Sequence, residues 1–202
     1  MSANGDELLR RKVRDELRKR MRGVRRAAPA SACGARSELI VARLEVLAPF
    51  ATATKVALFW PIEEKNEVDL RALDASLRAK GATVAYPSID RENETMTFRV
   101  TRDTELLEER GFGFREPPLD APEAKELDVI VVPSLALDPR GHRLGYGTGF
   151  YDRTLPAFPG AVTVGVAFDY GLLVEIPEIE TDVAMRWIVT DKRTIEIADV
   201  PG

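Results

Sequence analysis

The sequence predicts an α/β protein, a mostly parallel sheet with helices on both faces in three layers. Three observations carry the prediction. Short apolar runs bounded by turn residues recur along the chain, as strands buried on both faces do. Segments with helical spacing lie between them, the alternation that makes neighbouring strands parallel. One glycine-rich stretch, Arg143 to Arg153 (R-L-G-Y-G-T-G-F-Y-D-R), follows the apolar run Val129 to Val132 and precedes a helix start. A strand, a glycine loop and a helix N-terminus together favour an anion.

Taken in order, Leu9, Val13, Leu17, Met21 and Val24 recur at helical spacing, so the first element is an amphipathic helix. Arg10, Arg14 and Arg18 form a row beside that stripe. The row reads either as side chains snorkelling along the core edge or as arginines leaning into a groove where the helix docks, and periodicity alone favours the first. Pro29 breaks the chain. Ser31 to Leu47 reads as a second helix, with Leu39, Val41, Leu44 and Leu47 apolar and Pro49 beyond its end. Lys55 to Trp60 is a buried strand ending at Pro61. The polar loop Glu63 to Asn66 leads to Glu67 and a helix carrying Leu70, Leu73 and Leu77, with Gly81 as its stop.

Thr83 to Tyr86 is a strand ended by Pro87, and Thr95 to Val100 alternates Met96, Phe98 and Val100 as a more exposed strand does. Gly111 to Pro118 is an irregular loop carrying two aromatics. Asp128 to Pro133 feeds the glycine loop, whose following helix stops at Pro156. Val162 to Phe168 and Arg186 to Val189 are further strands, and Thr194 to Ile197 is a last edge strand. Ligands of such sheets gather beyond the strand carboxyl ends, so the Trp60–Glu67, Phe112 and Arg143 loops are expected on one rim.

Composition narrows the function. The 202 residues, 45% of them hydrophobic, fit one domain over residues 1–202. No apolar run approaches the ~20 residues that span a bilayer, and the N-terminus lacks an apolar signal region, so a cytoplasmic protein with no membrane partner is expected. A single cysteine, Cys33, rules out an intrachain disulfide, and a single histidine, His142, argues against a Cys/His zinc site. His142 would also have to serve any hydrolase triad, and the glycines and arginines around it suit phosphate better. Magnesium on carboxylates and phosphate oxygens is the metal this composition favours. The net charge of −4 hides an asymmetry: Leu8 to Arg26 holds 10 basic and 2 acidic residues, leaving 19 basic and 31 acidic elsewhere. A basic arm on an acidic body fits a nucleic acid, an anionic small molecule or a solvated face. With no nucleic-acid motif present, no nucleic-acid partner is expected.

The glycine loop is neither a Walker A sequence, since no Gly-Lys-Ser/Thr follows, nor the dinucleotide fingerprint, since its spacing is G-x-G-x-G. It reads as a phosphate cradle or as a tight structural turn whose aromatics are core. Arg143, a forked cation, and the interleaved Tyr146, Phe150, Tyr151 and Asp152 favour the cradle. Asp152 reads as a helix cap or a magnesium ligand, and Asp182 as a loop aspartate or a second carboxylate. Glu67 is a solvated glutamate unless its loop covers a pocket, and Trp60 is core or a ligand contact.

With these residues in view, the chain resembles the 5-formyltetrahydrofolate cyclo-ligase (5,10-methenyltetrahydrofolate synthetase) family over nearly its whole length. The most specific part runs from Val129 through Pro133, Asp138 and Gly141 to R-L-G-Y-G-T-G-F-Y-D ending at Asp152. The basic first helix, Trp60-Pro61 before Glu67-Val68-Asp69, the Phe112–Pro117 loop, and Asp182 leading to Ile188-Val189-Thr190 also match. The resemblance implies a Rossmann-like fold of the CoA-transferase kind and a monomeric ligase that takes ATP, magnesium and a folate. ATP phosphorylates the formyl oxygen on N5, N10 attacks the activated carbon, and phosphate leaves. Arg10, Arg14, Arg143, Leu144, Gly145, Tyr146, Gly147, Thr148, Gly149 and Tyr151 match nucleotide-binding positions. Trp60, Glu67, Phe112, Tyr146 and Phe150 match or neighbour folate-side positions, and Asp152 and Asp182 match magnesium ligands. Four positions depart from the pattern: Arg10 stands for a usual lysine, Phe150 for a common tyrosine, Thr181 for a frequent histidine and Arg186 for a frequent aspartate. The loop before Glu67 is also longer. These departures leave open a paralogue that binds ATP and phosphorylates a different small molecule.

Overall fold

The computed structural model describes residues 3–111 and 113–198. Its centre is a seven-stranded sheet in the order β11-β10-β9-β6-β1-β2-β3. These strands are β1 (Lys55–Ala57), β2 (Thr83–Asp90), β3 (Thr95–Val100), β6 (Val129–Pro133), β9 (Val162–Val166), β10 (Trp187–Val189) and β11 (Thr194–Glu196). The inner pairs are parallel, and only the edge pairs β2–β3 and β10–β11 are antiparallel. Two small ribbons stand off the sheet, β4 (Glu108–Glu109) with β5 (Arg115–Glu116) and β7 (Ala136–Leu137) with β8 (Arg143–Leu144).

The helices are α1 (Ala3–Ala27), α2 (Ala30–Glu45), α3 (Arg71–Ala79) and the short α4 (Phe150–Thr154). One sheet face carries α2 and α3: Ile40, Val41, Leu44, Leu73 and Leu77 pack on Val56, Val84, Val131 and Val164. The other face is covered less regularly, by α4, a 3-10 turn at Leu155–Ala157 and the segment around Met185. Helices were expected on both faces and both carry them, the second through the short α4 that follows the glycine loop. Helix α1 lies apart, with Met21 and Leu17 on Leu135, Ala136, Leu144 and Ile176 of the β7–β8 ribbon region.

Three local expectations need correction. Leu9, Val13 and Val24 of α1 are exposed, at 56%, 40% and 41%, while Arg14 and Arg25 are buried at 3% and 6%. The helix therefore docks on the face where Arg14 and Arg25 flank Met21, and the Leu9, Val13 and Val24 part of the stripe is left outside. Leu39 of α2 is likewise exposed, and Ile40 takes its place in the core. Pro87 does not end its strand: β2 continues to Asp90, paired with β3. Ala85 offers its carbonyl to Leu58 on the β1 side, and Pro87, two residues on, faces the same side. There β1 has already left the sheet, so the missing N–H costs no ladder bond.

Candidate active site

A cavity of about 670 Å³ opens beyond the carboxyl ends of the strands. That volume is ample for a small molecule. Phe59 and Trp60 after β1, Pro87 and Ile89 of β2 and Pro133 at the end of β6 form its floor. Arg14 and Arg18 enter from α1, Phe114 from the β4–β5 ribbon, and the stretch Arg143 to Arg153 supplies one wall. The three loops expected on one rim do meet there; Phe112 itself lies outside the described residues.

The glycine stretch is not one turn but a ribbon strand, a loop and a helix start. Leu144 is buried in β8, so only its backbone is near the cavity. Gly147 and Gly149 have φ of +104° and +70°, the left-handed region that favours glycine. Gly149 opens α4 without a side-chain cap. Asp152 is therefore not a cap. Its Oδ1 lies 2.7 Å from Arg143 Nη2 and accepts the Val183 N–H at 3.3 Å.

Arg143 is buried, yet its Nε and Nη2 have no hydrogen-bond partner. The contact with Asp152 is short but out of line for a hydrogen bond, so the charges attract while two donor directions stay open. A buried guanidinium with open donors beside left-handed glycines suits an anion that brings its own oxygens. Arg14 sits beneath it. Its Nη1 and Nη2 hold both oxygens of Asp182, at 2.6 and 3.0 Å, and Nη1 also reaches the Pro177 carbonyl at 2.8 Å. Arg18 donates from Nε to the Gly145 carbonyl at 3.2 Å. Arg10 stays outside the cavity wall and donates to the Glu178 carbonyl at 3.0 Å.

Aromatic side chains from the stretch Arg143 to Arg153 and from the strand ends line the rest of the cavity, with the Glu67 carboxylate among them. Trp60 packs edge-on against Tyr86 with centroids 6.0 Å apart, and Phe114, Tyr146, Phe150 and Tyr151 complete the lining. Glu67 is buried, and its Oε2 accepts the Ile62 N–H at 2.9 Å. Burial, then the charge on Glu67, hold the Tyr146 hydroxyl in its neutral form well above the usual range, with Arg25 opposing. Burial does the same to Tyr151, against the pull of Arg143.

Among the described residues, no three His, Cys, Asp or Glu side chains are grouped to hold a metal. Magnesium needs no such cage, because it binds through one or two carboxylates and completes its shell with phosphate oxygens and water. Asp152 beside Arg143 fits that pattern. Asp182 presents its carboxylate to Arg14 instead, so it reaches a metal only once Arg14 turns away. His142 belongs to no triad: its Nδ1 lies 3.3 Å from Asp138 Oδ2 and its Nε2 3.0 Å from Glu178 Oε2. Sequence reasoning missed Arg25, Lys65, Phe114 and Arg153. Arg25 was legible as the continuation of the Arg14–Arg18 face one turn past Met21; Lys65, Phe114 and Arg153 lay in stretches already marked but were not singled out within them.

The fold and the site together define a Rossmann-like α/β enzyme in which a phosphate-suited wall and an aromatic lining share one cavity. The family model of the 5-formyltetrahydrofolate cyclo-ligase family matches residues 10–191, and the chain belongs to that family. The 5-formyltetrahydrofolate cyclo-ligase of Escherichia coli K12 is 31% identical over 161 residues, 76% of this chain and 87% of that protein. The Mycolicibacterium smegmatis protein of the same name is 52% identical over 88 residues, 42% of this chain and 45% of its own length. The solved structure of Aquifex aeolicus 5,10-methenyltetrahydrofolate synthetase superposes with a TM-score of 0.80 at 30% identity, covering 94% of this chain and 95% of that one. Among the described residues no helix is long and apolar enough to cross a membrane.

Proposed function

We propose that the chain converts 5-formyltetrahydrofolate and ATP into 5,10-methenyltetrahydrofolate, ADP and phosphate. The observation that carries this reading is the pairing, in one cavity, of the open buried donors of Arg143 with the aromatic lining and the Glu67 carboxylate. A formamide oxygen is a poor leaving group, and a phosphate is a good one. The formyl oxygen on N5 takes the γ-phosphoryl group from ATP and ADP departs. N10 then attacks the formyl carbon, the C–O bond breaks, phosphate leaves and N10 gives up its proton.

No side chain forms a covalent bond in this scheme; positioning and charge neutralisation carry it. Arg14, Arg18 and Arg143 neutralise phosphate oxygens, and the backbone from Leu144 to Gly149 cradles them. Arg10, at the rim, reaches the nucleotide only by leaving the Glu178 carbonyl. Tyr151 backs Arg143. Glu67 accepts hydrogen bonds from the pterin, whose ring Trp60, Tyr146 and Phe150 flank; Phe112 belongs to the same side. Magnesium, when bound at Asp152 and a freed Asp182, supplies positive charge to the phosphates.

The test is the near-ultraviolet absorbance of the methenyl product, followed together with ADP release. Both are expected only when folate, ATP and magnesium are all present. Absence of product at high enzyme, with ATP binding intact, overturns the reading. Thr181, which lines the cavity at one of the positions that depart from the pattern the chain resembles, supports a second reading with another phosphoryl acceptor. It predicts ADP release with other formamides or carboxylates and none with the folate.

A further inference from the structure

We infer that Arg25, in the last turns of α1, is a positioning residue that sets Glu67 and Tyr146 for the folate; this rests on the function proposed above. Arg25 is not part of the cavity wall, whereas Glu67 and Tyr146 both are. Its guanidinium is buried, and Nη2 donates to the Tyr146 hydroxyl at 2.5 Å. The charge on Glu67 also acts on that hydroxyl, and Arg25 Nη2 lies 3.9 Å from Glu67 Oε1. Arg25 relays between the two groups: it donates to the hydroxyl and faces the carboxylate. Lys65 sits over the outer face of the Tyr146 ring, 4.8 Å from its centroid, and fixes the ring plane.

The backbone is stapled at the same point. Asn66, in the left-handed conformation at φ +50°, donates from Nδ2 to the carbonyls of Arg25 and Ala28 at 3.1 and 3.0 Å. The loop before Glu67 is thus tied to the end of α1 by both backbone and side chain. A buried carboxylate without a counter-charge takes up a proton or swings to water. Arg25 is a buried cation facing Glu67, so it holds that side chain in place at the cavity wall. It also links two segments that touch the substrate, the Glu67 loop and the glycine loop, through Tyr146. Arg14 and Arg18 on the same helix face point to the glycine loop, so α1 serves the phosphate side with its first turns and the folate side with its last.

The experiment compares the native chain with Arg25→Gln, Arg25→Lys and Tyr146→Phe, and with the double variant Arg25→Gln/Tyr146→Phe. Steady-state KM values for the folate and for ATP are measured separately, with quenching of tryptophan fluorescence as a direct reading of folate binding. Loss of a charge-assisted hydrogen bond predicts a folate KM raised about 10- to 100-fold in Arg25→Gln. The ATP KM is expected to change less than about 3-fold, Arg25→Lys to recover part of the loss, and the double variant to be no worse than the more severe single one. An unchanged folate KM, or folate and ATP constants rising together, overturns the inference. Should Arg25→Gln fail to fold, Tyr146→Phe, which loses only a hydroxyl, decides: unchanged folate affinity there overturns the relay. A native chain without turnover sinks the cyclo-ligase reading itself, whereas a native chain with turnover and insensitive variants sinks only the role of Arg25.

Discussion

Asp138→Asn separates the scaffold of the site from its chemistry. Asp138 is fully buried where the β7–β8 ribbon turns. Its Oδ1 accepts the N–H groups of Arg140 and His142 at 3.0 and 3.1 Å, and its Oδ2 accepts that of Ile176 at 2.8 Å. Asparagine keeps the two bonds on Oδ1 but without charge, and turns an amide N–H toward the Ile176 N–H. Weakening two charge-assisted bonds, losing the third and leaving a donor unmet sum to about 4 kcal/mol. For a chain of this size that lowers Tm by about 8–16 °C at neutral pH. The pH dependence has a definite sign. Burial lifts the Asp138 carboxyl, but the Ile176 N–H, the charge of His142 and the Arg140 and His142 N–H groups outweigh it and hold it below the usual carboxylate value. Stability from a depressed carboxylate is complete above its unfolded value of about 3.9 and is lost as pH falls through the folded value. The gap between native chain and variant therefore narrows as pH drops below about 4. Thermal unfolding followed by circular dichroism from pH 3 to 7 measures it. A gap below 3 °C at pH 7, or one that widens in acid, refutes the reasoning.

Arg143→Met removes the open donors and also the cation facing Asp152 at 2.7 Å, so Tm is expected to fall by a few degrees while kcat/KM for ATP falls about 10- to 100-fold in steady-state assays. Gly165→Ala acts on the core: a Cβ there lies 2.8 Å from Leu137 Cδ2 and 2.9 Å from Met185 Cγ. Overpacking of that kind costs about 1–3 kcal/mol and shows as a Tm lower by about 2–12 °C. Chelating magnesium with EDTA is expected to stop turnover and leave the circular dichroism spectrum unchanged, with activity returning on adding magnesium back. A spectrum that collapses on chelation contradicts a metal held mainly by substrate phosphates.

How much of this was legible from residues alone depends on where each residue's partner lies. The buried strands were readable because apolar runs such as Val129 to Val132 pack on both faces, a property of the run itself. The rule that proline ends a strand failed at Pro87 because it assumes a paired neighbour, and whether β1 is still there is a fact about the sheet. The glycine loop was readable because left-handed backbone at Gly147 and Gly149 is a local requirement, and so was the fork of Arg143 before it. The docking face of α1 was not. Counting apolar residues puts Leu9, Val13 and Val24 inside, since burial of a guanidinium is costly unless its hydrogen bonds are met. They are met by the carbonyls of Pro177 and Gly145, the carboxylate of Asp182 and the hydroxyl of Tyr146, all more than a hundred residues downstream. Without those acceptors the side of Leu9, Val13 and Val24 is the better face, and with them the side of Arg14 and Arg25 wins. The same reasoning separates the two magnesium candidates. Asp152 sits in the segment that also supplies Arg143, so its place beside that guanidinium was local information. Asp182 meets Arg14 across the fold, and only the assembled structure shows that its carboxylate and the helix arginine hold each other.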